Sequence, residues 1–497
     1  MRAPTGAGIS TRLLQLTLLW AGLAAGTGCA TLRATFAGYA TGPDGITRPQ
    51  QRLRDAMVEA DFARALAWRE DDALLQSLTR STAAYYAKQF ARSAAALDTA
   101  ALLADDRITA SLSRTGLSLV TNDMARPYQP RRTERLFIPY YAMLSYVQLG
   151  AWEDAAVEAR RIGALMAQYG DDRDDDERAV HGAMQHLAGA VFERAGEDNE
   201  AQVAYRAAHA LAASLPEVIA RGVADEGEIL LVVERGFVAH RTTETIELYL
   251  RDDERDSLRR GGDGHRGVAS RIAERVTGQP PRQPPPYVAG VGLGFASSAE
   301  PPRRPVERDD DDDDDYHLTI AFPSLRRSAK AWGGSPRVAV DAAVPAGLTM
   351  TAVVDDASEA DARRDRVALT TRAVARAVAK YGVSKAIEDK KGRVAGTIAN
   401  IGASLLERAD VRSWHLLPQE LTLVRVRAPA GTRSVRVQVG EGWAVRSVDL
   451  GSVVVRSGEL SIVPVRLWRD PAPVPFVAPA PTVIAEVTGE CGPLACP

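Results

Sequence analysis

The chain has 497 residues, of which 45% are hydrophobic and 25% charged, with a formal net charge of −3. That length suits two or three domains with their own cores, in the composition of ordinary globular protein. A balance so near neutral leaves no footprint of nucleic acid binding, and no nucleic acid partner is expected.

At the N-terminus Arg2 and Arg12 flank and precede an apolar run from Leu13 to Ala25, and Cys29 follows Gly26-Thr27-Gly28. The run is shorter than the roughly 20 residues a membrane-spanning helix needs. The layout predicts a bacterial lipoprotein signal over residues 1–28, cut so that Cys29 carries the lipid, with ordinary secretion as the alternative. Gly26 stands where such signals usually carry Leu, and Ala30 is not the Asp of inner-membrane retention. The expected location is the cell envelope, as an outer-membrane lipoprotein facing the periplasm. Residues 29–50 would be a tether.

Helical periodicity runs through residues 51–216. Phe137, Tyr140, Tyr141, Leu144 and Val147 recur at three- and four-residue spacing up to Gly150, and Trp152, Ala155, Ala156, Ala159, Ile162 and Met166 make a second stripe. The pair predicts an antiparallel hairpin, and residues 148–155 look like the turn of a tetratricopeptide repeat (TPR). A second copy is centred on Gly196 and a weaker one on residues 85–101. The spacing from Gly150 to Gly196 exceeds the TPR period of about 34 residues, and the acidic insert from Gly170 to Glu177 accounts for the excess as a solvated loop. Three stacked hairpins would leave an open groove, either for a polypeptide or as a plain scaffold.

Beyond Pro216, Ile229 to Val233 is a continuous apolar run and Ile246, Leu248 and Leu250 alternate with polar neighbours, which predicts a strand pair in residues 217–250, joined as a hairpin through Gly236. Residues 251–315 carry clustered prolines and then Asp309 to Asp315, and are expected to be a disordered linker. Strands are predicted at His317–Phe322, Arg337–Val340 and Thr349–Val354, a long helix from about Asp361 and another over Thr397–Arg408. After Pro418, Val435, Val437 and Val439 alternate with polar residues, and strands follow at 452–456 and 460–467. Residues 316–470 thus read as a β-rich domain with inserted helices, ahead of a Pro-rich tail over 471–497. In that tail Cys491 and Cys496 fit a small disulfide loop or two free thiols. The fold class expected is α+β and multidomain, a TPR-like α-helical hairpin array followed by an α/β region with a small antiparallel β-sandwich.

Two polar stretches stand out. Asn122, Asp123, Arg126 and Tyr128 precede Glu134, and Asp410, Arg412 and Trp414 precede Pro418. Read from their chemistry, the first is an inter-helix loop pinned by caps and an Arg126–Glu134 pair, or a ligand site. The second joins helix to sheet through an ion pair and a Trp anchor, or offers a polar ligand or glycan face. With Gly227-Glu228-Ile229 leading into Arg235-Gly236-Phe237, these stretches resemble a family of uncharacterised bacterial lipoproteins that join a TPR-like helical half to a β-rich half. The resemblance spans roughly residues 50–250 and 316–440, and it implies an envelope location and this architecture but no activity. The linker, the Cys-containing tail and Val411, where Thr is expected, depart from the pattern.

From Arg363 to Arg393 ten basic residues face three acids, and Arg372, Arg376 and Lys380 form a ridge at helical spacing. It is expected to be a solvated face, or to meet an anionic surface or the chain's own Asp tract. No nucleophile elbow, phosphate loop or zinc motif is present, His181 and His186 are wrongly spaced for one helical face, and no cofactor or metal is expected. The leading functional expectation is a lipid-anchored scaffold or assembly factor whose helices bind an envelope protein or exported polypeptide. A glycan- or peptidoglycan-associated module comes next, and an enzyme around Asp123, Glu134 and Asp410 last.

Overall fold

The computed structural model describes residues 45–113, 127–170, 173–217, 225–260, 264–280, 317–328, 334–391, 409–440 and 446–468. Helices dominate the N-terminal half and sheets the C-terminal half of this mixed α/β chain. Two short helices, α1 (Arg48–Val58) and α2 (Phe62–Leu66), lead into three antiparallel pairs. These are α3 (Ala73–Tyr86) with α4 (Phe90–Ser113), α5 (Arg132–Leu149) with α6 (Trp152–Tyr169), and α7 (Asp175–Ala195) with α8 (Asp198–Leu211). Gly150 and Gly196 close α5 and α7 at φ 70° and 77°, in the left-handed region where a side chain would be strained, so the chain reverses where the sequence places the turns.

The acidic insert is only partly a loop. Asp174 caps α7 and forms a capping box with Glu177, and Glu177 is buried against Arg364. Carboxylates here complement the positive end of the helix as well as water.

Strand β1 (Glu226–Arg235) organises the other half. It lies between β6 (Glu420–Pro429), antiparallel to it, and β9 (Leu460–Leu467), parallel to it, and β5 (Gly347–Val353) completes the sheet beside β6. Its unbroken apolar run follows from burial on both faces. Leu230 and Val232 join the core of the helices, while Ile229, Leu231 and Val233 join the valines of a second sheet, β4 (Arg337–Val340), β7 (Gly431–Val439) and β8 (Arg446–Val455).

Several expectations are corrected. Strand β2 (His240–Tyr249) does not form a hairpin with β1 through Gly236; it pairs with β3 (His317–Arg326), across the intervening segment. β1 needs cover on two faces and two edges, which the half-polar β2 is unsuited to give. Residues 217–250 are therefore no separate strand pair. The expected linker begins with helices α9 (Asp252–Arg260) and α10 (Gly264–Thr277), whose Leu258, Val268 and Ile272 pack against Val374 and Val378 of α11 (Val354–Lys391). That long helix starts before Asp361, at Val354. The Asp309–Asp315 tract, the predicted helix at 397–408, Cys29, Cys491 and Cys496 lie outside the described residues. Among the described residues no helix is long and apolar enough to cross a membrane.

A core shared through β1 predicts that Leu230→Ala, facing the helices, and Leu231→Ala, facing the second sheet, each cost about 2–5 kcal/mol. Both should shift one common thermal transition in far-ultraviolet circular dichroism; two separable transitions would contradict a shared core.

Candidate functional site

Five of the residues singled out in the sequence meet at one place. Asp72 caps α3 through the amides of Leu74 and Leu75, and its other oxygen accepts the Tyr128 amide at 3.0 Å. Arg107 ties this together, donating to Asp72 and to the Tyr128 carbonyl at 2.7 Å each. Although burial pushes the Asp72 carboxyl up, the bonds from Arg107 and the backbone hold it below its ordinary range. Tyr128 is thereby fixed and buried at the start of the segment that leads into α5.

Glu134, in the first turn of α5, accepts the Arg131 amide at 2.8 Å, the Trp414 amide at 2.9 Å and a more distant Arg241 guanidinium at 3.4 Å. Asp410 and Arg412 form a two-pronged pair, both prongs 2.8 Å, and the Arg412 carbonyl accepts Arg241 at 2.7 Å. Trp414 is 0% exposed and its indole N–H donates to Thr82 of α3 at 3.0 Å. The bonds from Trp414 to Glu134 and Thr82 lock the 409–417 segment onto the helices. Both oxygens of Glu134 and of Asp410 accept internal hydrogen bonds, and Trp414 has no face free for a sugar. Asn122, Asp123 and Arg126 lie outside the described residues.

A second buried cluster had no signal in the sequence. Glu234 at the end of β1 is 0% exposed and accepts the hydroxyls of Tyr86 at 2.5 Å and Tyr140 at 3.1 Å, with Arg466 of β9 3.9 Å away. Arg466 donates to the carbonyls of Gly236 and Leu416 and stacks 4.2 Å from the Trp468 ring. A third contact joins Glu193 of α7 to Arg425 of β6 at 3.0 Å. The first helix of every pair, α3, α5 and α7, thus turns polar side chains toward the C-terminal half. The groove expected to be open along these helices is covered by the chain's own sheet and 409–417 segment.

Beside this junction lies a cavity of about 390 Å³, walled by α5, β2, β3, α11 and the segments at 238–239 and 413–417. Val238, Phe322, Pro323, Leu325, Leu369 and Leu417 give it an apolar wall, and Arg131, Arg241, Arg363, Arg366, Glu134, Glu244, Glu359 and Asp361 its charges. Asp361 is buried, accepts the Thr133 amide at 2.8 Å and Arg364 at 3.1 Å, and is pushed up to about 6 by burial. Arg131 pairs with Asp365, and burial beside Arg241 pushes its guanidinium down to about 10. Glu359 is clamped by Arg327, and Arg363 by Asp174 and Asp176.

The basic ridge is not a solvated face. Arg376 is 3% exposed among Ala373, Val374 and Ala377, and Arg372 is half-buried close enough to Arg131 to perturb it. Lys380 continues the helix, but its side chain lies outside the described residues. Among the described residues no group of three or more His, Cys, Asp or Glu could hold a metal ion. Comparison of the chain with protein-family models, curated proteins and solved structures returns no match.

Trp414→Ala should cost about 3–5 kcal/mol, and Trp414→Phe, which keeps most packing but loses the bond to Thr82, about 1 kcal/mol. Urea unfolding measures both; a Trp414→Phe variant as stable as the parent would deny the indole bond its role. His186 on α7 is 0% exposed with neither ring nitrogen hydrogen-bonded, and burial, then Arg425, pushes it down to about 3 from 6.5. The unfolded chain therefore binds a proton that the folded chain refuses. Stability from the neutral ring is complete above about pH 6.5 and falls toward pH 3 by up to about 1.4 kcal/mol per pH unit. His186→Leu should flatten this acid-side fall in urea melts at pH 8 and pH 5, and His181, pushed down to about 4, should keep part of it.

Proposed function

We propose that this is a lipid-anchored envelope protein that binds a polypeptide without transforming it, and that the cavity beside Glu134 and Trp414 is its binding site. In this reading Cys29 carries the lipid, the helical pairs are TPR-like and the two larger sheets form a β-sandwich. The assignment of lipid and location rests on the signal-like N-terminus and on the resemblance to envelope lipoproteins. The partner is an envelope protein or an exported polypeptide, as the sequence suggested, but the binding surface moves from the covered helical groove to the cavity.

The observation that carries the reading is the make-up of that cavity. An apolar wall with charges of both signs suits a stretch of polypeptide, which presents apolar side chains and charged or polar groups together. A glycan site would want an exposed aromatic platform, and the Trp available for one is buried. A catalytic pair at Glu134 and Asp410 would want carboxylates free to turn toward a substrate, whereas these accept from Arg131, Trp414 and Arg241 and from Arg412.

The test is photocrosslinking in cells with a photoreactive residue at Leu369, in the cavity, and separately at Leu102, which is 71% exposed on α4. Discrete protein adducts from position 369 and none from 102 are expected, and Cys29→Ser should release the protein from the membrane fraction and abolish them. Adducts from 102 alone, or adducts to glycan, would overturn the reading.

A further inference from the structure

The cavity's charges are not equally available. Glu134, Glu359 and Asp361 are each held by internal donors: Glu134 by two backbone amides, Glu359 by Arg327, and Asp361 by Thr133 and Arg364. Of the acids in the wall, Glu244 alone has no partner among the described residues, and it stands exposed on β2. On the basic side, Arg366 is exposed on α11 and also has no partner among the described residues. Arg131 and Arg241 stand in the same wall, their side chains 24% and 12% exposed. Arg241 uses two of its five N–H groups, on Glu134 and the Arg412 carbonyl. The wall therefore offers arginine donors to a guest with few acceptors of its own to answer them.

We infer that the cavity takes a carboxylate attached to an apolar body, its charge at Arg366 with Arg131 and Arg241 behind, and its body against Phe322, Leu325 and Leu369. A guanidinium matches a carboxylate with two parallel N–H donors, and the part-buried Arg131 and Arg241 are screened less than a surface charge. Two sources share this chemistry: the free C-terminus of a polypeptide ending in apolar residues, and a free fatty acid. The inference rests on the cavity being the binding site, and narrows what enters it.

The experiment titrates the full-length lipidated protein in detergent with a fluorescent apolar hexapeptide ending in leucine, as the free acid and as the C-terminal amide, and with palmitate as competitor. The acid should bind about tenfold or more tightly than the amide, a difference of about 1.4 kcal/mol. Arg366→Ala, which breaks no described contact, should collapse that ratio to about one while leaving the thermal transition unchanged. Saturable palmitate binding that depends on Arg366, with no binding of either peptide, supports the carboxylate and assigns it to a lipid source. Equal affinity for acid and amide, or a ratio that survives Arg366→Ala, overturns the inference. So does failure of both peptides and palmitate to saturate below ~1 mM, where binding is worth only about 4 kcal/mol. Crosslinking through position 369 that persists alongside equal acid and amide affinities sinks the carboxylate and leaves polypeptide binding standing.

Discussion

Everything in this molecule depends on one strand needing cover on two faces. β1 sets Ile229, Leu231 and Val233 against the second sheet and Leu230 and Val232 against the helices. Fully burying side chains of this kind stabilises by about 1.5–3 kcal/mol each, so neither layer can be removed without exposing a face of the central sheet. The helical array is thus the cover of its own sheet.

The polar contacts across that boundary explain why the two halves meet in a single arrangement. Hydrophobic burial is non-directional, but Glu234 accepts from two tyrosines on two different helices while Arg466 reaches the carbonyls of Gly236 and Leu416. Removing either charge would leave the other buried and underpaired, at a cost that usually exceeds the net worth of the pair. Glu134 does the same in the first turn of α5, where it accepts the Trp414 amide. The cavity sits beside this second lock, so its wall is built on rigid segments.

How much was legible follows from the range of each signal. Local signals read well: Gly150 and Gly196 end helices, and the alternation of Val435, Val437 and Val439 is a strand. The apolar run in β1 was legible as a strand, but its neighbours β6 and β9 lie far along the chain, and periodicity says nothing of pairing. Helices α9 and α10 were hidden by their charge, because only a few residues such as Leu258, Val268 and Ile272 carry the apolar stripe. Of the site, Tyr128, Glu134, Asp410, Arg412 and Trp414 were singled out and do converge, whereas Arg241, Asp361 and Arg366 were missed. Their significance comes from which acids have already been claimed by other donors, and that is a property of three-dimensional neighbours. The basic ridge failed for the same reason: spacing placed Arg376 on a helix but not on its buried side.

The parallel pairing of β1 with β9 has a kinetic side. Residues 226–235 find their second neighbour only in residues 460–467, the last strand described. A contact between such distant segments must wait for a large loop to close, and topologies rich in such contacts fold slowly. Until Leu460–Leu467 docks, one edge of β1 is a row of unpaired amides and carbonyls open to foreign strands. The same event delivers Arg466 to Glu234. Arrival of the final strand therefore acts as the closing latch, and a chain held in a state just short of it would be the form most prone to aggregate.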